Sequence, residues 1–443
     1  MITKRVEQRQ HSLRLGLIAG IVQFVILAFV QFLSIKIVME YLGKEGYGAW
    51  SLLTLVIYWS TLFDLGLSKG LLNILSEANG QEDRNKAVNA TSTTLAVLGI
   101  IASIGVFLVW IITIFWGMDI IVFFKLQQVG VQPWILGVVG TLFFINMPLS
   151  VFTQIFWAYQ LRHVAVMFLV FSSLLTLLSQ IVCVSMHLGL NVMVFLFIAP
   201  TTLGLLLSGL YLFYFKMKWI RPKLSSVKLS SIKGMKRTSL GYFCFGLTAF
   251  LINELQPSIL ARISSLSVTA EWQIISRIIL SLSAPIQMST FAFVPALRES
   301  SANGDLVWMR KAFIKMVAIR MSAAALGVTL LFLIGPFLLT LLVKRSQVSF
   351  DATIWYILVI TVIIFTWNSC FTDLFSIMDK IWFVVWATVL NALVVVGLTI
   401  FLVPKIGISG ALFSYVAMPL LLFSWVMPLI ARRVFFRRGI DEA

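Results

Sequence analysis

Few side chains in this chain could do chemistry, and several of them crowd into one stretch, ELQPSILARISSLSVTAEWQIISR, residues 254–277. It sets Glu254, Arg262, Glu271 and Arg277 among long apolar runs, with Pro257 close behind the first charge. Glu254, Ser258 and Arg262 recur every fourth residue and would share one helix face; Gln273, Arg277 and Ser281 would share another. A guanidinium binds a phosphate or carboxylate through two parallel hydrogen bonds. A carboxylate can pair with that guanidinium or carry a proton or sodium ion, a role open to Glu254 and to Asp64 in FDLGLSKG. Arg320 lies beside the small-residue run SAAALG (322–327), which suits close helix packing. Nothing here is spaced for catalysis. His11, His163 and His187 form no zinc motif, and no phosphate-cradling GxxxxGK[ST] loop occurs. Cys183, Cys244 and Cys370 lie far apart in apolar runs, where thiols act as small core residues. The expectation is a protein that is not an enzyme and has no cofactor or metal.

These residues need elements to position them, and the composition says which kind. The chain is 60% hydrophobic and 12% charged, with a mean hydropathy of +0.99, whereas a soluble domain carries about 25% charged residues. Spans of about 20 apolar residues cross a bilayer as helices, and twelve are expected: 14–38, 47–67, 89–115, 134–158, 164–186, 190–215, 239–262, 269–293, 312–334, 352–376, 382–402 and 408–431. The first is too long for a signal-peptide core and lacks a small-residue cleavage site, so it reads as a retained helix. With the N-terminus inside, twenty-five of the thirty-four basic residues fall on cytoplasmic segments and five outside. That bias supports cytoplasmic N- and C-termini and turns a pI near 10 from a nucleic-acid signal into topology and contact with anionic membrane lipids. Adding about 219 to the first six spans lands near the last six, so the halves read as parallel six-helix repeats, a transporter arrangement. The expected divisions are a bundle at 1–215, a basic cytoplasmic linker at 216–238 and a second bundle with a basic tail at 239–443.

On those boundaries the seventh span runs outward and the eighth inward, which brings Glu254 and Arg277 to the same depth, about 12 Å below the outer surface. A guanidinium there must face protein or water. Two readings stay open: an ion pair that fixes the packing of two helices, or a water-filled cavity in which Arg277 and Arg262, with Gln273 nearby, attract an anionic substrate. Pro257 frees a backbone carbonyl and would let its helix bend.

The segment YLGKEGYGAWSLLTLVIYWSTLFDLGLSKGLLNILSEANGQED (41–83) and the turn VPKIGISGALFSY (403–415) resemble the polysaccharide exporters of the O-antigen flippase type, within the multidrug/oligosaccharidyl-lipid/polysaccharide exporter superfamily. The matching positions are Gly43, Glu45, Gly46, Tyr47, Gly48, Asp64 and Gly66. The resemblance implies an all-α polytopic membrane protein of MATE-like fold, its two six-helix repeats set around a central cavity. It implies a flippase that moves a polyprenyl-pyrophosphate-linked oligosaccharide, an O-antigen or capsule-type repeat unit, across the bacterial inner membrane by alternating access. Of the site residues expected to serve it, Asp64 belongs to the motif, while Arg277, Arg262, Glu254, Gln273 and Arg320, with Pro257 as hinge, come from the charge pattern and not from the resemblance. The implied partners are that lipid, a polysaccharide polymerase and a chain-length regulator; the implied state is a monomer. A multidrug or cation antiporter of the same superfamily is the alternative, favoured by cavity acids but opposed by Arg277.

Overall fold

A computed structural model describes residues 2–63, 66–228, 247, 255–290, 293–302, 304–342, 350–378 and 380–433. Asp64, Glu254, Cys244 and the basic residues 233–237 lie outside them. Among the described residues the regular elements are all helical. The chain divides into two compact units, Met1–Leu247 and Thr248–Ala443.

In the first unit, α1 (Ile2–Phe63) is two helices joined at Gly43, whose φ of 71° and ψ of −179° belong to backbone that only glycine enters freely. This is the glycine of the LGKEGYG motif, and the break separates the first two sequence spans. A Cβ on Gly43 would meet no atom within 4 Å, so the requirement is conformational rather than steric. Gly43→Ala is therefore expected to cost about 1–3 kcal/mol. Gly99→Ala, in an ordinary helix with open space at Cβ, is expected instead to stabilise by about 0.5–1 kcal/mol. Thermal unfolding of the detergent-purified protein compares the two; equal melting of both variants would mean the turn tolerates any residue.

Next comes α2 (Leu67–Gln81), a helix too short to span a membrane that starts at Gly66, itself left-handed at φ 71°. It buries Leu67, Leu71, Leu75 and Ala78, which recur at helical spacing on one face, against α3 (Arg84–Phe123) and α4 (Trp134–Ala158). The N-terminus of α3 is capped by Asp83, which accepts from the Lys86 amide at 2.9 Å. Helices α5 (Arg162–Ser185) and α6 (Leu190–Tyr211) complete the unit. Glycines let the helices approach: a Cβ on Gly204 of α6 would fall on the Ser172 hydroxyl of α5. After α6 the basic segment folds back on this unit, its Lys223 and Lys228 amides donating to Ser92 and Thr93 of α3 at 3.0 and 2.9 Å.

The second unit repeats that order. Its described part starts with α7 (Leu255–Ile263) and α8 (Leu266–Met288). A short α9 (Phe293–Ala302) follows, as α2 does in the first unit. Then come a long α10 (Leu306–Leu342), as α3 does, and α11 (Ala352–Ile377). The last is α12 (Ile381–Met418), broken at Gly407 (φ 58°, ψ −136°), the glycine of the VPKIGISG motif. A π turn at Pro419–Phe423 leads into α13 (Ser424–Ala431).

Eight stretches among the described residues are long and apolar enough to cross a membrane. Val22–Leu55 and Trp382–Ala431 each contain two of the sequence spans joined across a broken helix. The other two sequence spans are the seventh, described only from Leu255, and α8, too polar to count with Glu271, Gln273, Arg277 and Gln287 along it. Large apolar side chains such as Phe107, Ile114, Phe115, Phe337 and Leu393 stand more than 60% exposed, the surface of a protein whose solvent is lipid. The chain is a polytopic membrane protein.

Candidate functional site

The residues singled out by sequence fall into two places in the second unit. The first is the α7–α8 pair. Ser265 caps α8 by accepting from the Val268 amide at 3.3 Å, so α8 begins at Leu266, three residues before the sequence boundary. Arg277 is then eleven residues in, roughly 16 Å along the axis, and half-buried. Arg262 is exposed in the last turn of α7. Pro257 is buried early in α7, next to Gln256, whose amide nitrogen donates to the Ala411 carbonyl at 3.1 Å and so ties α7 to α12. Gln273 is 3% exposed, and its side-chain nitrogen has no hydrogen-bond partner among the described residues. An unpaired buried amide in a bundle is costly, and Gln180 and Asn146 of the first unit share that state among the described residues. Next to Gln273, Trp272 is buried edge-on to Tyr415 at 5.4 Å, and Tyr415 stacks on Phe365 at 4.9 Å. That aromatic ladder escaped the sequence reading, since Phe365, Tyr415 and Trp272 are far apart in the chain.

The second place is built around Arg320 on α10, 2% exposed. Its Nη2 lies 2.7 Å from the Asp373 carboxylate on α11, its Nη1 donates to Ser369 at 3.4 Å, and its Nε donates to the Thr290 hydroxyl just after α8. One guanidinium thus joins three elements of the unit. The Arg320 side chain is 3% exposed and that of Asp373 37%. Asn368, just over one turn before Asp373 on α11, also has packing partners. Its amide donates to the Pro419 carbonyl at 3.3 Å and to Ser424 at 3.3 Å, satisfying backbone that the π turn leaves open.

The structure brings Arg277, Gln273 and Pro257 onto the α7–α8 pair and Arg262 to its edge, and places Arg320 in a separate ion pair. Glu254 and Asp64 lie outside the described residues. No group of three or more metal-ligating side chains occurs among the described residues. The arrangement sets arginines, buried amides and aromatic rings along neighbouring helices of the second unit.

No family model matches the sequence. Over 88 residues the chain is 36% identical to a "Putative O-antigen export protein" of Yersinia pseudotuberculosis, covering 19% of this chain and 18% of that one. Over 86 residues it is 33% identical to a "Putative O-antigen transporter" of Salmonella typhimurium, covering 19% and 20%. The matches span about a fifth of the length of these curated relatives. An inward-facing multidrug resistance MATE family transporter of the MOP superfamily superposes with a TM-score of 0.72 at 15% identity, over 96% of this chain and 99% of that one. The MATE multidrug transporter DinF-BH superposes with a TM-score of 0.66 at 16% identity, over 96% of each chain. The fold is that of the MATE transporters, and the sequence matches, each over about a fifth of the chain, are to proteins named for O-antigen export or transport, in line with the resemblance read from the sequence. Each of these proteins is named for transport or export, none for catalysis.

Proposed function

We propose that the chain is a flippase that moves a polyprenyl-pyrophosphate-linked oligosaccharide from the cytoplasmic to the outer leaflet of the bacterial inner membrane by alternating access. The sequence matches to O-antigen export proteins carry this reading. The polar α8 supports it. Arg277 and Arg262 suit a pyrophosphate, Gln273 suits sugar hydroxyls, and the lipid tail stays in the bilayer while the headgroup crosses. Pro257 serves as the bend in α7. The basic bias of the loops supports cytoplasmic termini, and a polysaccharide polymerase and chain-length regulator are the partners that would take up the product.

The test is reconstitution of the full chain in liposomes with a polyprenyl-pyrophosphate oligosaccharide, following the appearance of sugar in the opposite leaflet. Protein-dependent appearance is the expected result. Multidrug extrusion is the second reading, favoured by the MATE multidrug transporters among the structural neighbours. Extrusion of a cationic dye from cells, with no lipid moved in liposomes, would replace the first reading by the second.

A further inference from the structure

A cavity of about 470 Å³ opens in the first unit, where the C-terminus of α2, the N-terminus of α3, the C-terminus of α4 and the turn at Lys218–Ile220 meet. Asn79, Glu82, Asp83, Arg84, Tyr159 and Trp219 line it. By the basic bias of the loops this end faces the cytoplasm. Trp219 is half-buried and braced on two sides: the Arg84 guanidinium lies 5.4 Å from its ring centre, and Tyr159 meets it edge-on at 5.7 Å. The ring and its neighbours are thus held in place before any ligand arrives.

Two turns at this cavity carry a backbone cost. Glu82 and Gln160, the latter next to Tyr159, hold left-handed conformations at φ 58° each, where glycine would be free of strain. Both residues follow the end of a helix, where a left-handed turn is common. Burial pushes the Tyr159 phenol up to about 12, against the opposing pull of Arg84, so it stays protonated at neutral pH and can donate a hydrogen bond. The lining therefore offers an aromatic ring, a phenol, an amide, two carboxylates and one guanidinium.

That set selects a ligand class. Glu82 and Asp83 repel a bare phosphate, and Arg84 at the ring opposes an organic cation. A sugar fits both constraints: its ring C–H face is apolar and lies on indole, while its hydroxyls both donate and accept, matching carboxylate, amide, phenol and guanidinium. Ligand cavities run from about 300 to 1,000 Å³, so this one suits a sugar or a short stretch of glycan. We propose that this cavity is a glycan subsite that engages the sugars of the lipid-linked substrate on the cytoplasmic side. The inference rests on the flippase reading and adds a site in the first unit distinct from the α7–α8 residues.

The test is equilibrium dialysis of the full chain in nanodiscs against radiolabelled oligosaccharide released from its polyprenyl carrier by mild acid. Polyprenyl pyrophosphate without sugar, in the nanodisc lipid, serves as the second probe. Trp219→Ala and Glu82→Gly are each expected to weaken glycan binding about tenfold or more, with Trp219→Phe within about threefold of the wild type. Binding of the bare carrier is expected to be unchanged. Glu82→Gly relieves the left-handed backbone, and its thermal melting, measured beside the dialysis, is expected to match the wild type. Glycan affinity unchanged in both Trp219→Ala and Glu82→Gly overturns the proposal, as does equal loss of bare carrier and glycan. So does tetraphenylphosphonium binding that depends on Trp219 while glycan binding does not. Dialysis reads no transport, so its result stands apart from the liposome assay: lipid flipped with these variants binding normally sinks this site alone.

Discussion

Asp373→Ala is expected to cost the second unit about 3–5 kcal/mol, the penalty for leaving a buried charge without its partner. The two partners are not equivalent. Arg320 keeps only 3% of its side chain exposed, whereas Asp373 keeps 37%. Removing the carboxylate strands a guanidinium that water cannot reach, left among the described residues with the hydroxyls of Thr290 and Ser369 and the thiol of Cys370. Removing the guanidinium leaves a carboxylate that water can solvate, so Arg320→Met is expected to cost less, about 1–3 kcal/mol. The double variant Arg320→Met/Asp373→Leu, which places apolar volume at both positions, is expected to return to within about 1 kcal/mol of the wild type. Cys370 provides the readout: it is fully buried one turn from Thr366 and three residues from Asp373. In a Cys183→Ser/Cys244→Ser background, thiol-reactive dye labelling during heating reports opening at this place. Arg320→Met melting lower than Asp373→Ala would reverse the asymmetry and remove the argument from burial.

Much of the frame was legible because it is local. The span 134–158 coincides with α4, and the ends of α5 and α11 fall within two residues of expectation. Both motif glycines, Gly43 and Gly407, stand at breaks that only their backbone freedom allows. What sequence missed has a physical reason in each case. A search for about 20 apolar residues passes over α2 and α9, which are 15 and 10 residues long; in α2 the stripe Leu67, Leu71, Leu75, Ala78 was the available signal. The start of α8 depends on a Ser265 hydroxyl finding the Val268 amide, and shifting it by three residues moves Arg277 deeper. The Arg320–Asp373 pair joins residues on different helices, and Tyr159, Trp219 and Arg84 meet only through three separate chain reversals. Pairings of that kind are products of packing, and no spacing rule within one helix announces them.

Arg277→Gln is expected to lower the rate of lipid translocation in liposomes by about tenfold or more, the effect of losing a charge-assisted phosphate contact worth about 1.5–3 kcal/mol. The residue sits about halfway along α8, half-buried, on the helix whose polarity sets it apart from the eight clear membrane spans. A guanidinium at that depth is tolerated only against protein or water, and both readings of residues 254–277 satisfy that condition. They differ in what a second substitution does. If Arg277 holds the pyrophosphate, Glu254→Gln/Arg277→Gln stays inactive while folding like the wild type, and Arg277→Lys restores part of the rate, because a point charge replaces the bidentate fork incompletely. If Arg277 instead neutralises Glu254 to fix two helices, the double variant recovers translocation, since neither charge is then left alone in the membrane. Recovery would move the headgroup site off α8 while leaving the flippase reading intact. A variant series in which lipid movement never depended on residue 277 would take both roles away from this stretch.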